Sequence, residues 1–494
     1  MIDFGDLQAD LPSYKNTGSV VIDNVIPLAK GYKSFPSFVK LSDTALASQP
    51  VGLFTSFGAA ATVNYSGDQT KLYQMNTSGN FIDKSKSGGY NNSTTEGSKD
   101  FWSFVKFGDN VIASNFADNI QVFNETSSSA FADLVSIKAK YLTIIREFVF
   151  TAYTIESGTT YYQRVKWSGL NNSSQWTPSQ STQSGFQDIP GSHGAITGIV
   201  GNESFGIIFF ERAIFRIDYV GTPLIFSISK IADVGAFSPK SIVSFGNTIY
   251  FLAQDGFYSL TNGSDLMPIG SGRINEFFYN DLTSNFEGIT SATDPNNSIV
   301  VWSYRGSGAT TAGSINNKLL IYNYAVDKWS TGSGLSLQFI STASQQGFTT
   351  LESLDILGSV DTLPKSLDSY FYGDGIVGLS GFDENNKFGK FLGASLSATI
   401  DSTEFEGIEN KRSTLINCRP IVDLNGETSQ ITVTPISRNS QASSLNVGTA
   451  VALTESGDCP LRQTSRYHRL RVKVVGNFST LLGIDIEARP EGKR

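Results

Sequence analysis

The sequence predicts an all-β chain: a β-propeller of about seven blades, preceded by an extended N-terminal arm and followed by a C-terminal β domain. Three observations carry this reading. Short β-branched or aromatic runs, such as Val20-Val21-Ile22, Ile207 to Phe210, Thr248 to Leu252 and Ser298 to Trp302, are bounded by Gly, Asn, Asp or Ser, which is the pattern of strands and turns. One unit then recurs along the chain: a strand, a polar turn and an aromatic. Finally, the 494 residues include 47 Gly, 35 Phe and 19 Tyr, and only 17% are charged, against about 25% in an average soluble chain. So many aromatics exclude a fully disordered coil, and the scarcity of long Ala-, Glu-, Lys- and Leu-rich stretches excludes coiled coils and helical solenoids.

Residues 1–49 read as the arm. They have turns at Leu11-Pro12-Ser13 and Ala29-Lys30-Gly31, and too little apolar area for a separate core. Residues 50–385 hold the recurring unit: Lys71-Leu72-Tyr73 with Gly79-Asn80-Phe81; Asn119 to Val122; Arg164 to Trp167 with Gln175-Trp176; Ala213 to Ile217; Gly256 to Leu260; Lys318 to Asn323 with Lys328-Trp329-Ser330; and Gly375 to Leu379. Successive units lie about 43 to 62 residues apart, the range of four-stranded propeller blades with loop insertions. A preceding strand often follows a glycine, as in Phe107-Gly108-Asp109-Asn110 and Phe245-Gly246-Asn247-Thr248. The competing arrangement is a row of β-sandwiches. The aromatic after the turn recurs at like positions, however, and radial repetition leaves few exposed edges. Helix-like stretches are confined to Ser129–Val135 and Ile274–Leu282. Residues 386–494 hold further strands, among them Gln430 to Pro435 and Leu470 to Val475. Their basic run Arg462 to Lys473 is expected to be a strand with a solvated or subunit-facing side rather than a nucleic-acid patch.

The net charge of −8 disfavours sequence-independent clamping of nucleic acid and fits a path along which DNA slides without sticking. Met1 to Asp10 has no positive run or apolar core, so no signal peptide is expected, and no apolar run approaches a bilayer's span. The expected product is soluble and made in the cytosol. Cys418 and Cys459 lack CxxC spacing and are expected to be inert reduced thiols.

Catalytic signatures fail in turn. There is no GxSxG, HExxH or GxxxxGK[ST] motif, and the two histidines, His193 and His468, lie far apart with no nucleophile context. Glu211 and Asp218 are the carboxylate pair worth testing, since propeller glycosidases use two acids. Ser66-Gly67-Asp68 and Gln254-Asp255-Gly256-Phe257 are partial echoes of a sialidase Asp box. Asp294-Pro295-Asn296-Asn297 and Asp383-Glu384-Asn385-Asn386 offer oxygen ligands without EF-hand spacing, and read as turns. No enzyme activity, cofactor or metal is expected.

The opening Asp6-Leu7-Gln8-Ala9-Asp10-Leu11-Pro12, Asn24-Val25-Ile26-Pro27 and Gly31-Tyr32-Lys33-Ser34-Phe35-Pro36-Ser37 resembles the arm of bacteriophage tail nozzle proteins, also known as tail hub or packaged-DNA stabilisation proteins of short-tailed phages. Similar segments follow in chain order: Phe107 to Ala113, Arg164 to Gly169, Gly206 to Glu211, Tyr219 to Pro223, Gln254 to Tyr258, Pro268 to Gly270, Arg466 to Val472 and Arg489 to Gly492. Lys33 stands where many relatives carry arginine, which opens the question of a bidentate contact there. The resemblance implies a virion protein: a hexameric ring below the tail adaptor that supports fibres, spikes or a needle and gates the packaged genome. Double-stranded DNA would pass through without specific binding, and no membrane partner is implied. On this reading Asp6, Leu11, Pro12, Asn24, Pro27, Gly31, Tyr32, Arg466, Arg469 and Arg471 supply adaptor and intersubunit contacts. The rivals are a carbohydrate-binding propeller adhesin and a propeller glycosidase.

Overall fold

The computed structural model describes residues 1–13, 16–58, 62–93, 100–283, 286–309, 315–344, 354, 367, 376–409, 411–424 and 430–491. The chain is a seven-bladed β-propeller with an N-terminal arm and a C-terminal β domain. Blades 1 to 5 are four-stranded antiparallel sheets, each made from consecutive strands. Blade 1 runs from Gly52–Phe57 to Phe81–Asp83, blade 2 from Ser103–Phe107 to Ala132–Val135 and blade 3 from Ile137–Ile145 to Gly185–Asp188. Blade 4 spans Ile196–Gly201 to Ile225–Ala232, and blade 5 Val243–Phe245 to Asp265–Pro268. Blade 6 comprises Thr290–Asp294, Ile299–Tyr304, Asn316–Asn323 and the first half of the long strand Lys328–Ser344.

The second half of that long strand opens blade 7. It pairs with Val377–Asp383, which pairs with Lys387–Ser395, and the outermost place is taken by Pro36–Ala45 from the arm. The expected boundaries at 49/50 and 385/386 therefore fall beside the strands that complete this blade. The seventh recurring unit is out of phase for the same reason. Residues 377–379 of that unit belong to the second strand of blade 7, whereas its six predecessors mark third strands; Gly375 lies outside the described residues.

Apolar clusters close the ring. Leu53 and Tyr65 of blade 1 pack with Trp102 and Phe123 of blade 2 and with Phe339, Phe382 and Phe388 of blade 7. The 2–3, 3–4 and 4–5 junctions have their own clusters, as do 5–6, around Phe257, Trp302 and Trp329, and 6–7, around Val301, Ile321 and Phe391. The recurring aromatics are thus interblade mortar. Burying each contributes about 1.5–3 kcal/mol. The glycine before the second strand of blades 2 and 5 also has a cause. Gly108 and Gly246, at φ +59° and +57°, form two-residue turns joining Phe107 to Asn110 and Phe245 to Thr248, a conformation that costs a β-carbon dearly.

The C-terminal domain is two sheets packed on a shared core. One holds Phe478–Pro490, Ser413–Leu424 and the edge strand Cys459–Ser465, extended by the arm strands Ile2–Asp3, Val25–Pro27 and Tyr32–Ser34. The other holds Ala398–Asp401, Tyr467–Val475 and Gln430–Arg438. Leu415, Leu481 and Ile484 from the first meet Val433, Leu470 and Val472 from the second. Ile22–Asp23 of the arm bridges the two bodies: Asp23 pairs with Thr331 of blade 6 and Ile22 with Ile400 of the C-terminal domain.

Of the two helix-like stretches, Asn275–Asp281 is an α-helix. Ser129–Val135 is not. Ala132–Val135 is the fourth strand of blade 2, because Ile120–Asn124 would otherwise present an unpaired edge, and Phe131 is buried against blade 1. Tertiary pairing outweighs a weak helical propensity over so few residues.

Candidate functional site

Two places gather side chains with something to do: the clasp made by the arm, and one mouth of the propeller. In the clasp, Asp6 forms a 3.2 Å ion pair with Lys328 of blade 6. Asp10 reaches the helix N-terminus, where its carboxylate oxygens accept the amides of Phe277 at 2.8 Å and Glu276 at 3.2 Å. Between arm and helix lies a cleft of about 430 Å³ with Asp10, Glu276 and Asp281 on its walls. Lys318 grips Asp281 at 2.7 and 2.8 Å. That ion pair holds the Asp281 carboxyl below the usual range even though burial pulls it the other way.

Asn24 has φ +60° and ties three elements together: its side-chain amide donates to Ser397 O at 3.0 Å, its side-chain oxygen accepts the Ser333 amide at 2.9 Å, and its own amide donates to Thr331 O. The Pro27 carbonyl accepts from Asn323 at 2.8 Å. Gly31, at φ +72°, closes the arm hairpin so near Leu481 that a β-carbon would sit 2.4 Å from its carbonyl oxygen. Tyr32 is fully buried and its hydroxyl donates to Gly5 O at 2.6 Å. Burial first, and Asp6 second, push that phenol above its usual range.

The clasp's other anchor is Asp401, which is wholly buried. Arg471 binds it bidentately at 2.6 and 2.9 Å, Arg469 lies 3.5 Å away, and Ser19 of the arm donates to the Asp401 carbonyl at 2.6 Å. Arg466 is half-exposed and pairs with Glu406 at 3.3 Å. Of the ten residues expected to make adaptor and intersubunit contacts, Asn24, Pro27, Gly31, Tyr32, Arg469 and Arg471 are thus engaged within the chain, and so is Asp6. Leu11 and Pro12 are exposed.

At the propeller mouth, the loops leading into first strands and the turns after second strands leave the blades at the same end, since neighbouring strands are antiparallel. Lys240, leading into blade 5, donates to Trp102 O of the loop leading into blade 2 at 3.2 Å and lies over the Phe101 ring. Blades 2 and 5 are three places apart in a ring of seven, so this contact crosses close to the axis. Burial pushes the Lys240 ammonium down to about 8. Nearby, Lys140 of blade 3 is 3.7 Å from Asp100 and over the rings of Phe116 and Tyr153, which meet edge to face at 5.0 Å. Phe116 and Tyr153 have φ of +68° and +58°, costly for bulky side chains. Burial raises the Asp100 carboxyl above its usual range; Lys140 opposes the shift and Glu287 adds to it. This cluster was not legible in the sequence, because its members come from separate stretches: the loop into blade 2, the turn after its second strand, two strands of blade 3 and the loop into blade 5.

The remaining candidates resolve as follows. Glu211 follows Phe210 at the mouth, whereas Asp218 pairs in register with Phe205 at the far end of the same hairpin, roughly 16 Å away at strand rise. They do not converge, and Asp218 is held by Arg216 at 2.9 Å. Asp68 is a buried staple: it accepts the Thr70 and Lys71 amides at 2.8 Å, the Ser48 amide at 3.0 Å and the Tyr73 hydroxyl at 2.7 Å. Asp294 accepts the Asn296 backbone amide and the Asn297 side-chain amide of its own turn, whereas Asp383 accepts the Asn385 and Lys387 amides through one oxygen and pairs with Lys40 of the arm at 3.0 Å through the other. His193 packs edge-on against Phe210 and Phe215. His468 is buried beside Ser413 and Ser465, and burial pushes its imidazole down. Among the described residues, no group of three His, Cys, Asp or Glu is placed to hold a metal ion, and no helix is long and apolar enough to cross a membrane.

No family model matches the sequence, and no curated protein matches it. Among solved structures, the chain is similar to the computationally designed Ika8 protein (10% identity, TM-score 0.34, covering 61% of this chain and 93% of that one). It is also similar to virginiamycin B lyase from Staphylococcus aureus (11%, 0.37, 60% and 87%) and to BamB from Moraxella catarrhalis (10%, 0.28, 44% and 59%). Likeness at this level carries no argument about activity.

Proposed function

We propose that the chain is a structural subunit of a short phage tail, the nozzle or hub that forms a six-membered ring below the adaptor and gates the packaged genome. The observation that carries this reading is the coincidence of two sets of residues. The arm segments that resemble nozzle proteins, Asp6 to Pro12, Asn24 to Pro27 and Gly31 to Ser37, are the ones that lash the propeller to the C-terminal domain and close its last blade. A subunit that must transmit load around a ring needs two bodies fixed as one. The exposed Leu11 and Pro12 turn and the partly exposed Arg466 are the members of the contact set left facing outward. A net charge of −8 on each copy, repeated around a ring, would repel phosphates and let duplex DNA slide.

Electron microscopy of the purified chain, and of particles that carry it, tests the proposal. Six-fold rings around a hole wide enough for duplex DNA are expected. A chain that stays monomeric, together with tails that lack it, would overturn the reading.

A further inference from the structure

The chain has two cysteines, and the fold brings them face to face. Cys418 lies in Ser413–Leu424 and Cys459 opens the edge strand Cys459–Ser465; they are direct partners in the antiparallel register. Both are free and buried in the core of the C-terminal domain. Facing residues in such a pair have β-carbons about 4.5–5.5 Å apart, and a disulfide needs about 3.5–4.5 Å. The small approach required is eased by the register shift between Leu415 and Asn417, just before Cys418, where a bulge lets the strand twist.

We propose that Cys418 and Cys459 are a redox pair that a peroxide converts into a cross-strand disulfide, locking the edge strand to the neighbour it pairs with in that sheet, Ser413–Leu424. Cys459 is the attacking sulfur. It follows the exposed turn Thr454–Asp458 at the start of the edge strand, the part of this sheet that frays most easily, and hydrogen peroxide is small enough to enter there. The Cys459 thiol reaches the Val451 carbonyl at 3.7 Å, and the facing Cys418 thiol pulls the Cys459 sulfur toward its thiolate, against burial, while Cys418 itself is held protonated. The Cys459 thiolate attacks one peroxide oxygen, the O–O bond breaks and hydroxide leaves, giving a sulfenic acid. The Cys418 sulfur then attacks the Cys459 sulfur. The S–O bond breaks and water leaves, taking the Cys418 proton. Two thiols and one peroxide thus become one disulfide and two waters.

The test exposes the folded, full-length chain to hydrogen peroxide, blocks remaining thiols with an alkylating reagent and maps peptides without reduction. Expected are a Cys418–Cys459 linked peptide, an intact mass lower by two hydrogens, reversal by dithiothreitol, and a melting temperature higher by about 3 °C or more than that of the reduced protein. In Cys418→Ala the sulfenic acid should persist on Cys459 and be captured by dimedone, and the peroxide-dependent rise in melting temperature should vanish. Full alkylation of both thiols after peroxide treatment, or sulfinic acid at either cysteine without a linked peptide, would overturn the proposal.

Discussion

Blades 1 to 5 are each cut from one continuous stretch of chain, whereas blade 7 is assembled from three: Leu337–Ser344, the hairpin Val377–Ser395 and the arm strand Pro36–Ala45. The contiguous blades pair residues a few positions apart and close small loops. Blade 7 must bring Val39 to Lys390 across most of the chain. Loop closure over such a span costs about 2–3 kcal/mol more than over a short one, and it is slower to achieve. The difference teaches where the molecule is made one piece. The ring, the arm and the C-terminal domain meet at blade 7 and at Ile22–Asp23 beside it, so damage there should spread, while damage in blades 1 to 5 should stay local.

The largest effect is expected from deleting residues 1–45, which removes the outer strand of blade 7 and the bridge to Ile400. Hydrogen exchange should show lost protection in Val377–Ser395 and throughout the C-terminal domain, with blades 2 to 5 retained. An unchanged single melting transition would break the comparison. Next, Asp401→Asn leaves Arg469, itself only 9% exposed, facing a neutral amide. Equilibrium urea unfolding should report a loss of about 3 kcal/mol, with the C-terminal domain and arm opening together. Asp68→Asn, inside a contiguous blade, should cost about 2 kcal/mol through its mismatched donors, and exchange should rise in blade 1 and at Trp102, whose indole donates to the Asp68 carbonyl, but not in blade 7.

The smallest effect is a pH dependence seated in blade 7. Lys390 is 2% exposed and donates to Ala343 O at 3.1 Å and Ile376 O at 3.0 Å. Burial pushes its ammonium down to about 7 from an ordinary 10.5. Between those values the folded chain binds fewer protons than the unfolded one, so stability rises with pH across that window, and the penalty is fully present below it. Lys390→Met should reduce that rise by at least ~1 kcal/mol between pH 7 and pH 10 in urea midpoints, leaving the share that the buried Lys240 ammonium contributes over the same range. A wild-type profile that is flat over this range would contradict the assignment.

What the sequence made legible follows the same division. Third strands such as Ala213 to Ile217 and Gly256 to Leu260 announce themselves because strand, turn and buried aromatic are neighbours in the chain. Blade 7 was hidden, since the second half of Pro36–Ala45 turns polar at Lys40 and Ser42 to Thr44 and its partner lies some 350 residues away. In the clasp, the resemblance named the arm segments as contacts to other chains, whereas the partners seen within this chain, such as Asp401 for Arg471, 70 positions back, and Leu481 for Gly31, are set by tertiary pairing and leave no local trace. The basic run Arg462 to Lys473 does lie on strands with Arg462 and Lys473 facing solvent, but Arg469 and Arg471 turn onto Asp401, a carboxylate of another strand that the run itself does not announce.

The order in which the last blade is completed has a consequence for synthesis. A ribosome delivers Pro36–Ala45 long before Lys387–Ser395, and at about 5–20 residues per second the arm strand waits roughly 20 to 70 s for its mate. During that time it is a bare ten-residue edge beside other nascent chains on the same message. Its polar stretch, Lys40 with Ser42, Asp43 and Thr44, is the composition that discourages such an edge from pairing with a stranger. A product truncated before Lys387 would leave the seventh blade without its third strand and the arm strand Pro36–Ala45 without its partner.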